Sequence, residues 1–280
     1  MKRLTFHIDH SSHPEYLTEI IELMEKGILI DDLFGIGKNQ ERFSAINTER
    51  SFGNVLSNLK RLRIIDDSES RWSDFGRILI SHLHEFKIVS NLLHYRLFSL
   101  WNPADCQRNC FSWSYRTICG ILLDLDGQLI NIKDLSSKLQ EVIELEFAEK
   151  FGVNPSDISV SQRTIQGGLK WVELIEPPVL DKNDKNIIFQ RRDSCPPWLI
   201  LLGLDLIYRD QGIPYGSNII FSQEIIDFLY SLTLLSNEAF KWVYQWMKTQ
   251  YPDFIQEQEG GGWATQICLL REPKLQEVIY

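Results

Sequence analysis

The chain has 280 residues, of which 44% are hydrophobic, 11% aromatic and 24% charged, and its formal net charge is −9. This composition is typical of a globular protein and excludes a disordered or collagen-like chain. No apolar run approaches the roughly 20 residues that cross a bilayer, and the first residues lack the apolar stretch of a signal peptide. Five cysteines at irregular spacings indicate reduced thiols. We therefore expect a cytoplasmic protein without a membrane partner.

Residues 1–83 predict a winged helix, which is a helix-turn-helix followed by a β hairpin. Apolar residues at helical spacing indicate the helices, and two short segments around a polar turn indicate the hairpin. Ser73 is expected to cap the helix that follows. The alternative is a small helical domain with an ordinary surface hairpin. The predicted elements are helices over residues 17–24, 52–62 and 73–83, and strands at 64–65 and 71–72.

The rest of the chain predicts a helical core region over residues 84–151 and an α+β region over residues 152–280. In the core region Asp134 is expected to cap a helix that ends before Gly152. The Gly167–Gly168 pair is expected to separate two short strands. The last helices and a glycine turn between strands at 254–258 and 263–269 predict a second, degenerate winged helix. The expected fold class is mainly α, within α+β.

Cations cluster in one part of this acidic sequence. Between residues 38 and 63 there are six cations and two anions, a local net charge of +4. Phosphates and base edges are contacted by cationic, amide and hydroxyl side chains of this kind. The predicted nucleic-acid-binding residues, including two on the wing, are Lys38, Asn39, Arg42, Arg50, Ser51, Asn54, Ser57, Lys60, Arg61, Arg63, Arg71 and Trp72.

The helix around Ser51 to Arg63 is the expected recognition helix, which would enter the major groove. Arg50, Asn54 and Arg61 are candidates for base edges, and together with Ser57 they are expected to share one exposed side. Phosphate contacts are expected from Lys38, Arg42, Lys60 and Arg63. Arg71 and Trp72 would touch the backbone or the minor groove. The alternative is an ordinary solvated helix face beside a short basic run.

Signatures of catalysis are missing. Residues 35–38 read Gly-Ile-Gly-Lys but lack the spacing of a phosphate-binding loop, and no nucleophile elbow occurs. Two groups could in principle hold a metal, although neither contains a C-x-x-C pair. They are His7, His10 and His13, and Cys106, Cys110 and Cys119 with a neighbouring histidine. We expect no catalytic residue, cofactor or metal, and a cysteine- or metal-dependent enzyme is the weakest alternative.

Several short motifs resemble a known family. Residues 34–39 read Phe-Gly-Ile-Gly-Lys-Asn, and residues 92–95 read Leu-Leu-His-Tyr. Further segments follow in the same order at residues 6–10, 56–65, 72–79 and 196–199. Through these motifs the chain resembles the domain of unknown function 4007 family over most of its length. The resemblance implies a bacterial protein without an established catalytic activity, often encoded beside DNA phosphorothioation or phage-defence genes.

Two functional hypotheses follow. In the first, the chain is a non-enzymatic winged-helix protein that binds double-stranded DNA in DNA modification or phage defence, with other defence-system proteins as further partners. In the second, it is a protein-interaction adaptor in a defence or sulfur-transfer complex and does not touch DNA. The acidic chain and its eight tryptophans and fifteen phenylalanines favour the second, because exposed aromatic side chains anchor protein interfaces.

Overall fold

The computed structural model is mainly helical and has two small sheets, which confirms the expected α+β class. It describes residues 4, 6–9, 13–28, 32, 35, 43, 48–66, 72–106, 108–154, 158, 160–183, 186–259 and 265–279. The α-helices, numbered in chain order within these ranges, are α1 (Leu17–Glu25), α2 (Glu49–Arg61), α3 (Asp74–Ser81), α4 (Phe86–Ser99), α5 (Cys110–Leu123), α6 (Ile132–Val142), α7 (Ala148–Phe151), α8 (Gln162–Glu173), α9 (Pro197–Gln211), α10 (Gln223–Thr233), α11 (Asn237–Gln250) and α12 (Leu275–Val278). The strands are β1 (Leu180–Asn183), β2 (Asn186–Phe189), β3 (Asn218–Ile220), β4 (Ile255–Glu259) and β5 (Thr265–Leu269).

The first region contains the three predicted helices. The apolar face of α1 is buried, and this helix contacts both α2 and α3. Ser73 caps α3 as predicted, because its hydroxyl accepts a hydrogen bond from the Gly76 amide over 3.0 Å. Ile65 and Trp72 form a single antiparallel bridge, and residues 67–71 lie outside the described ranges. The described part of this region therefore holds three helices and one bridge, but no pair of strands.

The middle region is helical, as predicted, but one of its caps differs from the prediction. Asn131, not Asp134, caps α6, because its side-chain oxygen accepts from the amides of Lys133 and Asp134. The helix then widens into a π-helical turn at Ile143–Phe147 before it continues as α7. It ends at Gly152, whose left-handed φ of 63° suits a residue without a side chain.

The prediction of two strands around Gly167 and Gly168 is wrong, because both glycines lie within α8. Close packing explains why these two positions are glycines. A Cβ atom at Gly167 would lie 2.4 Å from the carbonyl oxygen of Ile8, and one at Gly168 would lie 2.7 Å from the Cδ1 atom of Ile118. The two glycines therefore let the amino-terminal segment and α5 approach the backbone of α8 closely.

The segment of residues 6–9 runs between the first and middle regions. The Phe6 carbonyl accepts a hydrogen bond from the Ser114 hydroxyl over 2.9 Å, and the Phe6 and Ile8 side chains are fully buried. The Phe6 ring packs edge to face against Phe147, with ring centres 4.9 Å apart. This segment thus joins the middle region to the helices of the first region.

The last region contains two antiparallel sheets. Strands β1 and β2 form a hairpin in which Leu180 pairs with Phe189. Further along the chain the elements follow in the order α9, β3, α10, α11, β4 and β5, and the sheet order is β3-β5-β4. Pro197 is the first residue of α9, and Ser236 caps α11. The predicted hairpin of β4 and β5 is confirmed.

One contiguous apolar core underlies these elements. Phe52 of the first region, Tyr115 of the middle region and Leu202 of the last region all belong to it. The predicted boundaries near residues 83 and 151 stay predictions. None of the described helices is long and apolar enough to cross a bilayer.

Candidate nucleic-acid interface

The expected recognition helix is α2, and its start is fixed by a capping box. The Ser51 amide donates to the Thr48 hydroxyl over 3.1 Å, and the Thr48 amide donates to the Ser51 hydroxyl over 3.1 Å. Phe52, Val55 and Leu59 then bury one side of the helix. Ser51 was predicted to contact nucleic acid, but its hydroxyl is engaged in this cap. In the structure, Ser51 helps to cap the start of α2.

The opposite side of α2 carries a polar stripe. Arg50, Ser57 and Lys60 are exposed, and Asn54 is half-buried between them. The Ser57 hydroxyl donates to the Asn54 carbonyl over 2.7 Å, so this serine turns towards its own backbone. The side chains that remain available for a ligand on this stripe are Arg50, Asn54 and Lys60.

Three exposed cations, Arg50, Lys60 and Arg63, lie on this stripe or just after it. Within the described ranges, no carboxylate forms an ion pair with Arg50, Lys60 or Arg63. Arg63 follows the end of α2, is exposed, and has a left-handed φ of 51°. Its carbonyl accepts from the Ser73 hydroxyl over 2.6 Å, which holds the backbone at this point. The result is a cationic side of the helix that continues past its last turn.

Arg61 does not share this exposed side, contrary to the prediction. Its Nη2 atom donates to the His7 carbonyl over 2.6 Å, and its guanidinium carbon lies 3.8 Å from the centre of the Phe111 ring. Burial lowers the pKa of Arg61 to about 10, against the opposing influence of Asp9. The long side chain reaches the amino-terminal segment and α5, so Arg61 is a packing residue here.

The predicted wing residues are only partly described. Trp72 is half-buried, and its ring packs over Gly76, where an added Cβ would lie 3.3 Å from the ring. Its carbonyl accepts from the Nη1 atom of Arg77 over 2.7 Å. The remaining predicted residues, namely Lys38, Asn39, Arg42 and Arg71, lie outside the described ranges.

The predicted metal-binding alternatives find no support in the described residues, where no three histidine, cysteine or acidic side chains come together. Cys110 is buried, and its thiol donates a hydrogen bond to the Cys106 carbonyl over 3.2 Å. Burial raises the pKa of the Cys110 thiol to about 11. A protonated, buried thiol of this kind behaves as a small packing residue.

A second exposed feature lies on α11, and the sequence analysis did not single it out. Trp242 and Trp246 are 59% and 45% exposed, and their ring centres are 5.2 Å apart. Lys248 on the same helix pairs with Glu257 over 2.7 Å, so its charge is compensated. The signal was present in the sequence, because both tryptophans fall outside the apolar face formed by Val243 and its neighbours.

No family model, curated protein or solved structure matches this chain. The likeness to the domain of unknown function 4007 family stays a prediction from short motifs.

Proposed function

We propose that this chain binds double-stranded DNA through α2, as a non-enzymatic winged-helix protein of bacterial DNA modification or phage defence. The observation that carries the proposal is the exposed side of α2, where Arg50 and Lys60 form no ion pair with a described carboxylate. The setting in modification or defence comes from the motif resemblance alone. A cytoplasmic location agrees with the five unpaired thiols.

In the proposed mechanism the cations have two roles. Lys60 and Arg63, at the end of α2, would neutralise phosphates, and each phosphate contact releases counterions. Arg50 and Asn54, one turn apart, would face base edges in the major groove, where arginine recognises guanine and asparagine recognises adenine. Arg61 would act indirectly, since it fixes the end of α2 against Phe111.

The order of elements in the last region supports a second winged helix there. A helix, a strand, two helices and a two-stranded hairpin follow one another, and the first strand joins the hairpin at β5. In this arrangement α11 would occupy the position of a second recognition helix. Its exposed side is dominated by Trp242 and Trp246, and Lys241 is its one exposed cation without an ion pair among the described residues, whereas α2 and the segment just after it have three. We therefore assign DNA contact to α2 alone.

The test is a fluorescence-anisotropy titration of a duplex across a salt series. The double variant Arg50→Ala/Lys60→Ala should bind more weakly, because it loses one base contact and one phosphate contact. The slope of log affinity against log salt should fall by about 1, since only Lys60 is assigned to a phosphate and each phosphate contact accounts for about 0.9. The matched control is Lys133→Ala/Lys138→Ala, which removes two exposed cations from α6. Equal affinities of all three proteins at every salt concentration would overturn the proposal.

The exposed tryptophans favour the adaptor as a second candidate. A pair of large aromatic side chains one helical turn apart is the kind of anchor that dominates protein interfaces. An adaptor would show no binding to duplex DNA at low salt and would co-purify with a partner. Trp242→Ala/Trp246→Ala should then abolish that co-purification, whereas Arg50→Ala/Lys60→Ala should not.

A further inference from the structure

One cavity among the described residues is unrelated to α2. Its volume is about 680 Å³, and it lies between α5, the π-helical turn and α7 on one side and α9 and α10 on the other. Small-molecule sites typically have volumes of roughly 300–1,000 Å³. The π-helical turn contributes Glu146 and Phe147 to the wall, and such turns often occur at functional sites.

Aromatic side chains form much of the wall. Trp113 and Phe147 meet edge to face with ring centres 5.1 Å apart, and Trp101 meets Phe151 in the same way at 5.7 Å. Phe228 of α10 lines the other side. Aromatic faces attract organic cations through the negative charge of their π systems.

Two buried N–H donors at this cavity have no acceptor. They are the Nε1 atom of Trp101 and the Nη2 atom of Arg116, and no described residue accepts from either. Both residues are more than nine-tenths buried, and the guanidinium carbon lies 5.3 Å from the centre of the Trp101 ring. The other nitrogens of Arg116 are used, because Nε donates to the Phe98 carbonyl and Nη1 to Asp210, each over 2.6 Å. A buried donor without an acceptor is destabilising, and an acceptor supplied by a ligand would remove that cost.

The charge of the cavity wall indicates the sign of charge that a ligand should carry. Arg116 and Asp210 neutralise each other. Among the described residues, the other carboxylates of the wall form no ion pair and face a single cation, Lys150. These carboxylates are Asp124, Glu146, Glu224 and Asp227. Such a wall repels phosphates and carboxylates and attracts a cation.

We propose that this cavity binds a small organic cation, with an ammonium or guanidinium group among the carboxylates and aromatic rings and a carbonyl oxygen that accepts from Trp101 and Arg116. Both donor atoms are shielded from solvent, so a side chain of the wall must shift before an acceptor of the ligand reaches them. The proposal does not depend on DNA binding by α2.

Three probes separate the charge of the ligand from its acceptor, and isothermal titration calorimetry measures each of them on the full chain. Nα-acetyl-L-argininamide has a guanidinium and carbonyl groups. Nα-acetyl-L-citrullinamide replaces the guanidinium by a neutral urea of the same shape, and butylguanidine keeps the single guanidinium charge but has no carbonyl. We expect saturable binding of the first probe, and binding of the other two that is weaker by about tenfold or more, because each lacks one of the two interactions.

Two variants locate the site. Trp101→Phe removes the unpaired N–H but keeps an aromatic ring, so it should weaken the argininamide probe by about fivefold, as for one lost hydrogen bond, and leave the binding of butylguanidine unchanged. Glu146→Gln should weaken both cationic probes. Its matched control is Glu149→Gln, an exposed residue outside the cavity wall, which should weaken neither.

Thermal unfolding checks that each variant is folded before its affinity is compared with that of the wild type. Trp101→Phe should lower the melting temperature only modestly, because the loss of a buried donor without an acceptor offsets part of the lost ring packing. Three outcomes would overturn the proposal: no saturable binding of the argininamide probe by the folded wild type at millimolar concentration, equal affinities for the guanidinium and urea probes, or an unchanged affinity in Trp101→Phe.

Discussion

The guanidinium of Arg61 lies 3.8 Å from the centre of the Phe111 ring, and so joins the end of α2 to α5. The same side chain donates to the His7 carbonyl over 2.6 Å. An arginine that was predicted to face DNA therefore connects three parts of the chain that lie far apart in sequence. Its stability effect and the DNA effect of Arg50 can be measured separately.

Arg61→Ala is expected to destabilise the fold. The variant loses a charged hydrogen bond and leaves the His7 carbonyl without that donor, for a total cost of about 2 kcal/mol. Denaturant unfolding measures this change. Arg50→Ala, an exposed residue on the same helix, should change the free energy of unfolding by less than about 0.5 kcal/mol. Equal stability of the two variants would show that the Arg61 contacts contribute nothing.

Two glycine-to-alanine substitutions in helices should have opposite signs. Gly167→Ala places a Cβ atom 2.4 Å from the Ile8 carbonyl oxygen, so backbone must move, at a cost of about 1–3 kcal/mol. Gly53→Ala meets nothing within 4 Å and lies in the middle of α2, where alanine should stabilise by about 0.5–1 kcal/mol. Melting temperatures of the two variants check both signs. A destabilised Gly53→Ala, or a Gly167→Ala as stable as wild type, would contradict the packing described for α2 and α8.

Protonation of His94 is expected to make the fold sensitive to mild acid. Its Nε2–H donates to the Leu232 carbonyl over 2.6 Å, which leaves Nδ1 to accept from the Tyr115 hydroxyl over 2.8 Å. Burial, with a smaller contribution from Arg192, lowers the pKa of His94 to about 3. Since an unfolded histidine has a pKa of about 6.5, the unfolded chain takes up this proton first as the pH falls.

The contribution of His94 to stability is therefore complete above pH about 6.5 and is lost as the pH falls towards about 3. On account of His94, we expect the free energy of unfolding to be about 2 kcal/mol lower at pH 5 than at pH 7. Denaturant unfolding at both pH values, in wild type and in His94→Gln, isolates this residue. In His94→Gln, the free energy of unfolding should differ less between pH 5 and pH 7, by about 2 kcal/mol, than it does in wild type. An identical pH dependence would mean that His94 is not buried in its neutral form.

Local signals in the sequence predicted most of the helices. Ser73 and Ser236 cap helices, and Pro197 opens one, because each acts on atoms within a few residues of itself. Gly167 and Gly168 were misassigned for the opposite reason. A glycine pair reads locally as a turn, and the contacts that require it come from Ile8 and Ile118, which are distant in sequence.

Local patterns also predicted the exposed side of α2, with the exception of Arg61. The helical repeat places Arg50 and Lys60 on the polar side of α2, where the structure has them exposed. The repeat also places Arg61 there, but a long side chain near a helix end can reach partners that no local pattern reveals. The cavity beside Trp101 and Arg116 was beyond sequence analysis, because its wall is assembled from five separate elements.

The segment of residues 6–9 has a consequence for the order of events during synthesis. The ribosome makes it before the parts of the chain that it contacts, because the Phe6 carbonyl accepts from Ser114 and Ile8 lies against Gly167. The side chains of Phe6 and Ile8, which are buried in the folded protein, cannot be buried in this way until those later parts have been made. The nascent chain must wait with them exposed, which is the situation in which a growing protein most needs a chaperone.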